Sequence, residues 1–351
     1  MRFPFLRFEQ PAGDFLLSTA SAPEILRISR PVPRKFNSET FQYSGGIQRE
    51  PSTRRIGELG AYAATVDAAF PTPILLALDP DSYSIEGTVI TIDRDAVADV
   101  VDGQHRLLGL QESGRAADFV LPVVFILEPT AEQKALLFAT INGTQTKVPA
   151  SLIFDLFGVT KGRSPQKTAH EIARALNGTS SSPWYRRLKM LGRKNPGSDE
   201  SLSQGTFVKQ LLPLISSDPV GDMDKIKRGQ EPMPHPTCVF NEYFIRDQDP
   251  TILKILMNVF SAQKGCWPEE WATPDRFILT KTTGFTGTIR ALPALVAEGK
   301  RRQDLSTEYF SSVFTAVKTQ LNTAGKPLTS EHFPPGSRGE AEFERALLHG
   351  L

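Results

Sequence analysis

Val100-Val-Asp-Gly-Gln-His-Arg-Leu-Leu-Gly109 decides the reading of this chain. An apolar run ending at Val101 reads as a strand, and Leu107, Leu108 and Leu110 fall at helical spacing. Asp102 to Arg106 therefore sits on a strand-to-helix turn. Such a turn aims backbone N–H groups and the positive end of a helix dipole at one point, where an anion binds. Gly103 permits close backbone approach because it lacks a Cβ. Arg106 carries a fork of donors that matches phosphate oxygens. Asp102 suits a metal ion or a hydroxyl, and His105 suits donation to phosphate or acid/base work near neutral pH. A plain turn capped by Asp explains the same residues without a ligand.

Working outward, the first half alternates strands and helices. Asp14 to Ala20 reads as a strand, Pro23 to Ile28 as a short helix, and Ser52 or Thr53 as the cap of a helix through Ile56, Leu59 and Tyr62. Arg54 and Arg55 stand at that helix start, where the dipole disfavours cations. Ile74 to Leu78 is an apolar run between Pro73 and Pro80, the pattern of a buried strand. Ser84 to Ile92 reads as a weaker strand or a hairpin. Phe119 to Leu127 is a strand that Pro122 moves toward a sheet edge. Thr130-Ala-Glu-Gln133 is a capping box, opening a helix that closes at Asn142-Gly143. This alternation indicates a mixed α/β (α+β) domain over residues 1–160.

The second half, 161–351, reads as mostly α-helical. Helices are expected over His170 to Leu176, Ser201 to Leu212 with Pro213 ending or kinking the last, Asn241 to Phe260 with a restart at Pro250, Thr288 to Val296, and Tyr309 to Leu321. Pro219 to Pro236 reads as an exposed loop, and the C-terminal tail as a surface strap with few apolar anchors. Trp184 to Lys194 interleaves Arg186, Arg187, Lys189, Arg193 and Lys194 with Trp184, Tyr185 and Leu188. That composition fits a nucleic-acid contact, though such a run is more often the solvated face of a helix.

Composition narrows the classes. The 351 residues are 40% hydrophobic and 23% charged, ordinary for a chain with a real core. No apolar run nears the roughly 20 residues a membrane span needs, so a cytoplasmic protein is expected. Cys238 and Cys266 are far apart, which indicates neither a zinc site nor a redox pair. The scattered His170, His235, His332 and His349 have no ligand spacing. The net charge of +1 neither requires nor excludes nucleic acid. No Walker-type lysine loop is present.

Asp102-Gly-Gln-His-Arg106 resembles the signature of the DGQHR-domain family, the family of DNA sulfur modification protein DndB. Further segments match in order. Gln48-Arg49 with Arg54 and Arg55 resembles its upstream Gln-Arg segment, and Phe138-Ala-Thr-Ile-Asn142 with Gln145, Lys147 and Val148 resembles its Phe-x-x-Ile-Asn motif. Leu202 to Val208 and Leu279 to Phe285 resemble two later segments. That family is in turn similar to the ParB/sulfiredoxin-like fold, in which a Gly-x-x-Arg turn cradles nucleotide phosphates. Gly103 to Arg106 stands in that position.

The resemblance implies an N-terminal domain that binds ATP or another NTP with Mg²⁺, and that hydrolyses it while acting with DNA. Phosphorothioate modification and phage defence would be its setting, and other DNA-modification or defence proteins its partners. A homo-oligomer stays open. Gly103, Gln104 and His105 would bind phosphate, with Arg106 neutralising its charge and Asp102 holding Mg²⁺ or positioning water. Asn142, Gln145 and Lys147 would line the same pocket, and Gln48 and Arg49 would close it. Arg186, Arg187, Lys189, Arg193 and Lys194 would extend a DNA contact. A DNA-binding transcriptional regulator without turnover, and a small-molecule kinase of the same fold, are the alternatives.

Overall fold

A computed structural model describes the whole chain except residues 31–33, 38–41, 46–50, 94, 144–148, 159–161 and 191. The chain divides into two compact units, Met1–Thr146 and Lys147–Leu351.

The first unit contains strands β1 (Arg2–Gln10), β2 (Gly13–Ser21), β3 (Ser29–Arg30), β4 (Arg34–Asn37), β5 (Gln42–Gly45), β6 (Ile74–Leu78), β7 (Tyr83–Glu86), β8 (Val89–Ile92), β9 (Ala98–Asp102) and β10 (Val120–Leu127). Its helices are α1 (Ala22–Ile28), α2 (Thr53–Ala63), α3 (Gln104–Glu112) and α4 (Ala131–Gly143). Eight strands form one mixed sheet in the order β3-β9-β6-β10-β2-β1-β8-β7, and β4 with β5 forms a separate hairpin. β6 runs parallel to β10 and antiparallel to β9, with a register shift between Leu75 and Leu76.

Side-chain alternation gives the sheet two apolar faces. Leu16, Leu76, Val100, Val123 and Phe125 point to one face and pack with Ile25 of α1, Leu59 of α2 and Leu107 and Leu110 of α3. Phe15, Ala77, Val101, Val124 and Ile126 point to the other, against Leu137 and Phe138 of α4. Burial on both faces explains why β6 is apolar at every position. The Thr130 capping box is formed: Thr130 N–H donates to Gln133 Oε1 at 2.9 Å, and Gln133 N–H to Thr130 Oγ1 at 3.2 Å.

Pro122 does not put β10 at an edge. The strand lies between β6 and β2. The β6 pairing begins only at Val123 with Ile74, so Pro122 lies beyond the end of β6, where a missing N–H costs no ladder bond.

The second unit contains α5 (Ala150–Phe157), α6 (Pro165–Gly178), β11 (Leu188–Lys189), β12 (Leu202–Ser203), α7 (Gln204–Ile215), α8 (Pro219–Lys227), α9 (Asn241–Ile245), α10 (Asp249–Cys266), α11 (Pro268–Ala272), α12 (Thr282–Arg302), α13 (Thr307–Thr323) and α14 (Ser337–Leu348). α5 packs against α6 and α7, so the expected domain break after residue 160 falls too late. The core is aromatic. The ring of Trp184 lies 5.2 Å from that of Trp271, 5.5 Å from Phe260 and 5.6 Å from Phe285, all at steep interplanar angles. Among the described residues, no helix is long and apolar enough to cross a membrane.

Several sequence expectations fail here for identifiable reasons. The Pro219 to Pro236 stretch is not all loop: Asp218 Oδ1 accepts from Gly221 N–H at 3.0 Å, Pro219 follows the cap, and Lys225 and Lys227 complement the dipole at the end of α8. α7 continues through Pro213 to Ile215. The C-terminal tail forms α14, anchored by the fully buried Phe343 and Leu347. Gly287 leaves room for that ring, since a Cβ there would lie 2.8 Å from Phe343 Cδ1. α12 begins at Thr282, several residues before the expected start, because Thr283, Thr286 and Thr288 are buried inside the unit rather than solvated in a loop.

Candidate functional site

Gly103 joins β9 to α3 with φ 102° and ψ 6°, the left-handed conformation that an L side chain resists. Sterics exclude a side chain as well, since a Cβ at Gly103 would lie 2.5 Å from Ile74 Cδ1 and 3.2 Å from Arg106 Nη2. The main chain thus enters α3 through a conformation that only glycine fits here. Leu107 N–H is the amide that closes back onto Gly103 O, at 3.1 Å.

α2 lies along α3 in the same direction. At the N-terminal ends, Ser52 N–H donates to His105 Nε2 at 3.1 Å. Further along, the helices meet at two glycines. A Cβ at Gly109 would lie 2.7 Å from Leu59 Cβ, 3.1 Å from Gly60 N and 3.2 Å from Ile56 O; one at Gly60 would lie 3.3 Å from Gly109 O. The parallel pair brings two helix N-termini together, each equivalent to roughly half a positive charge. Ser52 caps α2 by accepting from Arg55 N–H at 3.4 Å. Arg54 and Arg55, both exposed, add two full charges in the first turn of α2. Glu58 approaches Arg54 only to 3.7 Å, a surface pair of little strength. Two parallel dipoles and two arginines repel one another, and a bound anion relieves that repulsion.

Arg106 is held differently from the sequence expectation. Its Nη1 donates to Thr72 O and, at 2.7 Å, to Thr72 Oγ1. Its Nη2 donates to Pro73 O at 3.1 Å and to Asp102 Oδ2 at 2.8 Å. Both terminal nitrogens are occupied by protein acceptors, and the side chain is only 16% exposed. Burial pulls its pKa below the usual guanidinium value, with Asp102 opposing that shift. The guanidinium therefore ties the segment before β6 to the β9–α3 turn instead of presenting its fork to a ligand. Asp102 spends Oδ2 on this ion pair, so it does not stand ready as an unpaired carboxylate for Mg²⁺. Among the described residues, no three His, Cys, Asp or Glu side chains gather as a metal cluster. Magnesium held with nucleotide phosphates needs only one or two carboxylates, so the second oxygen of Asp102 remains chemically suitable.

His105 Nε2 accepts from Ser52 N–H and is therefore a lone-pair nitrogen in this geometry, not a proton donor. Gln104 is buried at the start of α3. Asn142 belongs to the last turn of α4, but its side chain lies outside the described residues, as do Gln48, Arg49, Gln145 and Lys147.

In the second unit, the described residues of the basic run at 184–194 are not helical. Trp184 and Leu188 are buried, and Lys189 lies in β11. Arg187 turns inward: Nη1 donates to Trp271 O at 3.2 Å, and burial lowers its pKa. Arg186 lies 5.2 Å from the Tyr185 ring, and Arg186, Arg193 and Lys194 are exposed. The inner segment Leu202 to Val208 is structural. Its buried Gln204 accepts from His170 Nδ1 and donates to Ser151 O at 3.0 Å and Met190 O at 2.5 Å. Gly205 N–H donates to Ser151 Oγ at 2.9 Å.

Residues the sequence reading passed over are Ser52 as a partner of His105, Thr72 and Pro73 as acceptors, and Gly60 and Gly109 as the contact between α2 and α3. The glycines carried a readable signal, since glycine inside a helix usually costs stability unless another backbone must come near.

No family model and no curated protein matches the chain. A solved structure to which it is similar is the C-terminally truncated chromosome-partitioning protein ParB from Caulobacter crescentus complexed with CTP-γ-S. The likeness has a TM-score of 0.30 and 11% identity, covering 68% of this chain and 97% of that one. A likeness of that degree carries no argument about fold or function.

Proposed function

We propose that this chain is a nucleotide-binding protein of the DGQHR kind, similar to DndB, that takes a nucleoside triphosphate at the joined N-termini of α2 and α3 and acts with DNA. The observation that carries this reading is the parallel α2–α3 pair. Its two positive helix ends meet beside the left-handed Gly103, with Arg54 and Arg55 exposed in the same turn. Polyanions bind such an arrangement by amides and by charge. Arg106 acts as the brace of the turn, and the guanidinium groups of Arg54 and Arg55 are the ones that meet phosphate. Gln48, Arg49, Asn142, Gln145 and Lys147 complete the pocket in this proposal, on the strength of the sequence pattern. Hydrolysis, phosphorothioate modification and phage defence belong to the same proposal, with Asp102 and Mg²⁺ at the phosphates.

Titration calorimetry with ATP, CTP, GTP and UTP, with and without Mg²⁺, tests it. At least one triphosphate should bind below ~1 mM, and Arg54→Ala/Arg55→Ala should weaken it by roughly tenfold, about half a decade for each charge near a helix end. Phosphate release is then followed with and without DNA. No binding of any triphosphate sinks the reading. A second reading, a DNA-binding regulator without turnover, is favoured by the exposed Arg186, Arg193 and Lys194. It requires DNA affinity that falls steeply with salt while nucleotide has no effect.

A further inference from the structure

A second constellation lies wholly inside the second unit. Asp222 on α8 is buried, at 1% exposure of its side chain, and its carboxylate accepts from three donors. Ser216 Oγ donates to Oδ2 at 2.6 Å, Met233 N–H to Oδ1 at 3.3 Å, and His235 Nε2 faces Oδ2 at 3.1 Å. An ionised carboxylate accepts only, so Nε2 must carry the imidazole proton. The other ring nitrogen, Nδ1, is then the basic one in neutral His235. It lies 2.8 Å from Ser217 Oγ, and Ser217 is exposed. The loop is clamped from behind: His235 N–H donates to Asn241 Oδ1 at 2.7 Å, and Asn241 Nδ2 donates to Ile215 O at 2.9 Å. Ser217 also stands directly before Asp218, the cap of α8, in sequence.

We infer that Ser217, His235 and Asp222 form a nucleophilic hydroxyl, its general base and the carboxylate that orients the base. The site would act on small carboxylic esters. A cavity of about 500 Å³ borders His235 and Cys238, with Ser217 and Asp222 outside its lining; apolar Val239, Ile245 and Pro293 bound it, and Arg246, Lys300 and Glu242 give it a rim of mixed charge. The apolar walls take the acyl chain. In the reaction, Ser217 Oγ attacks the ester carbonyl carbon while its proton passes to His235 Nδ1. The C–O bond to the alcohol then breaks, and the alcohol leaves with that proton. Water attacks the acyl-serine by the same route, releasing the carboxylic acid and restoring Ser217. Asp222 never leaves its ion-pair position and keeps Nε2–H pointing at itself, as in other serine–histidine–aspartate sites. The ring is turned relative to the usual arrangement, with serine on Nδ1, which alters the orientation and not the proton balance. Cys238 is not the nucleophile: burial pushes its thiol pKa up, away from thiolate.

The test uses the full chain and a fluorophosphonate, which reacts with an activated serine by forming O–P and expelling fluoride. Intact-mass spectrometry should show one adduct per chain, mapped by peptide sequencing to Ser217. Ser217→Ala and His235→Ala should lower the labelling rate at least a hundredfold. Asp222→Asn keeps the shape but offers an amide donor to Nε2, forcing the proton to Nδ1. Its labelling should follow a pH profile different from that of wild type, which a merely structural Asp222 would not change. Melting curves establish that each variant is folded. An unlabelled wild type at pH 8, under conditions that label a serine protease completely, overturns the inference. So does an adduct on any residue other than Ser217, or a pH profile in Asp222→Asn that matches wild type.

Discussion

Gly109→Ala is the most informative single change, because the structure predicts the sign of its effect against the usual trend. In an isolated helix, replacing an interior glycine by alanine adds about 1 kcal/mol of stability. At Gly109 the new methyl meets Gly60 N at 3.1 Å and Ile56 O at 3.2 Å, with Leu59 Cβ at 2.7 Å. Two of those three atoms are backbone and cannot rotate away. Overpacking of this kind costs about 1–3 kcal/mol, which cancels the usual gain and leaves a net loss of up to about 2 kcal/mol. The helices can relieve it only by separating, which also draws apart their N-termini and weakens any anion held between them. Gly57→Ala, on the same face of α2, serves as the control: its methyl would meet only Glu112 Oε1 at 3.9 Å, and it should stabilise by about 0.5–1 kcal/mol. Urea unfolding measures both variants, with hydrogen exchange of α2 and α3 amides reporting the unit concerned. Stabilisation by Gly109→Ala equal to that of Gly57→Ala would refute the close parallel packing, and with it the convergence of charge on which the nucleotide proposal stands.

Three further outcomes are expected. Arg106→Ala strips donors from Thr72, Pro73 and Asp102 and should cost about 3–4 kcal/mol; Arg106→Lys should recover less than half, because one ammonium cannot span acceptors on both sides of the turn. Chemical denaturation would show it, and equal stability of all three proteins would contradict the bracing role. His170 is buried against Gln204, and desolvation lowers its pKa, so the unfolded chain takes up its proton first as pH falls. Stability from this group is intact above about pH 6.5 and declines below it until the folded histidine also protonates; in His170→Gln the denaturation midpoint should lose that part of its acid slope. Phe343→Ala should cost about 3–5 kcal/mol and detach α14 from α12, seen as early amide exchange across both helices.

The strands and helices of the first unit were largely legible from residue order, because hydrophobic alternation and capping residues are local. β6, β10 and the Thr130 box follow from such patterns. α8 was also written locally, in Asp218, Pro219 and the terminal lysines, but a polar, proline-containing stretch hid it. α14 was missed because its anchors, Phe343 and Leu347, are few, and their burial depends on a gap at Gly287 that is distant in sequence. The basic run at 184–194 misled for the same reason: charge count does not reveal that Arg187 spends its guanidinium on Trp271 O.

By itself, the order of residues determined that a strand ends at Asp102, that a glycine turns the chain, and that a helix follows, since backbone sterics and side-chain periodicity act over a few residues. Only the tertiary structure decided which groups face one another. It laid α2 beside α3, drew Arg106 back onto Thr72 and Pro73, and brought Asp222, His235 and Ser217 within hydrogen-bonding reach. Those contacts depend on chain segments meeting across the fold, and they follow from which surfaces exclude water together rather than from any local spacing.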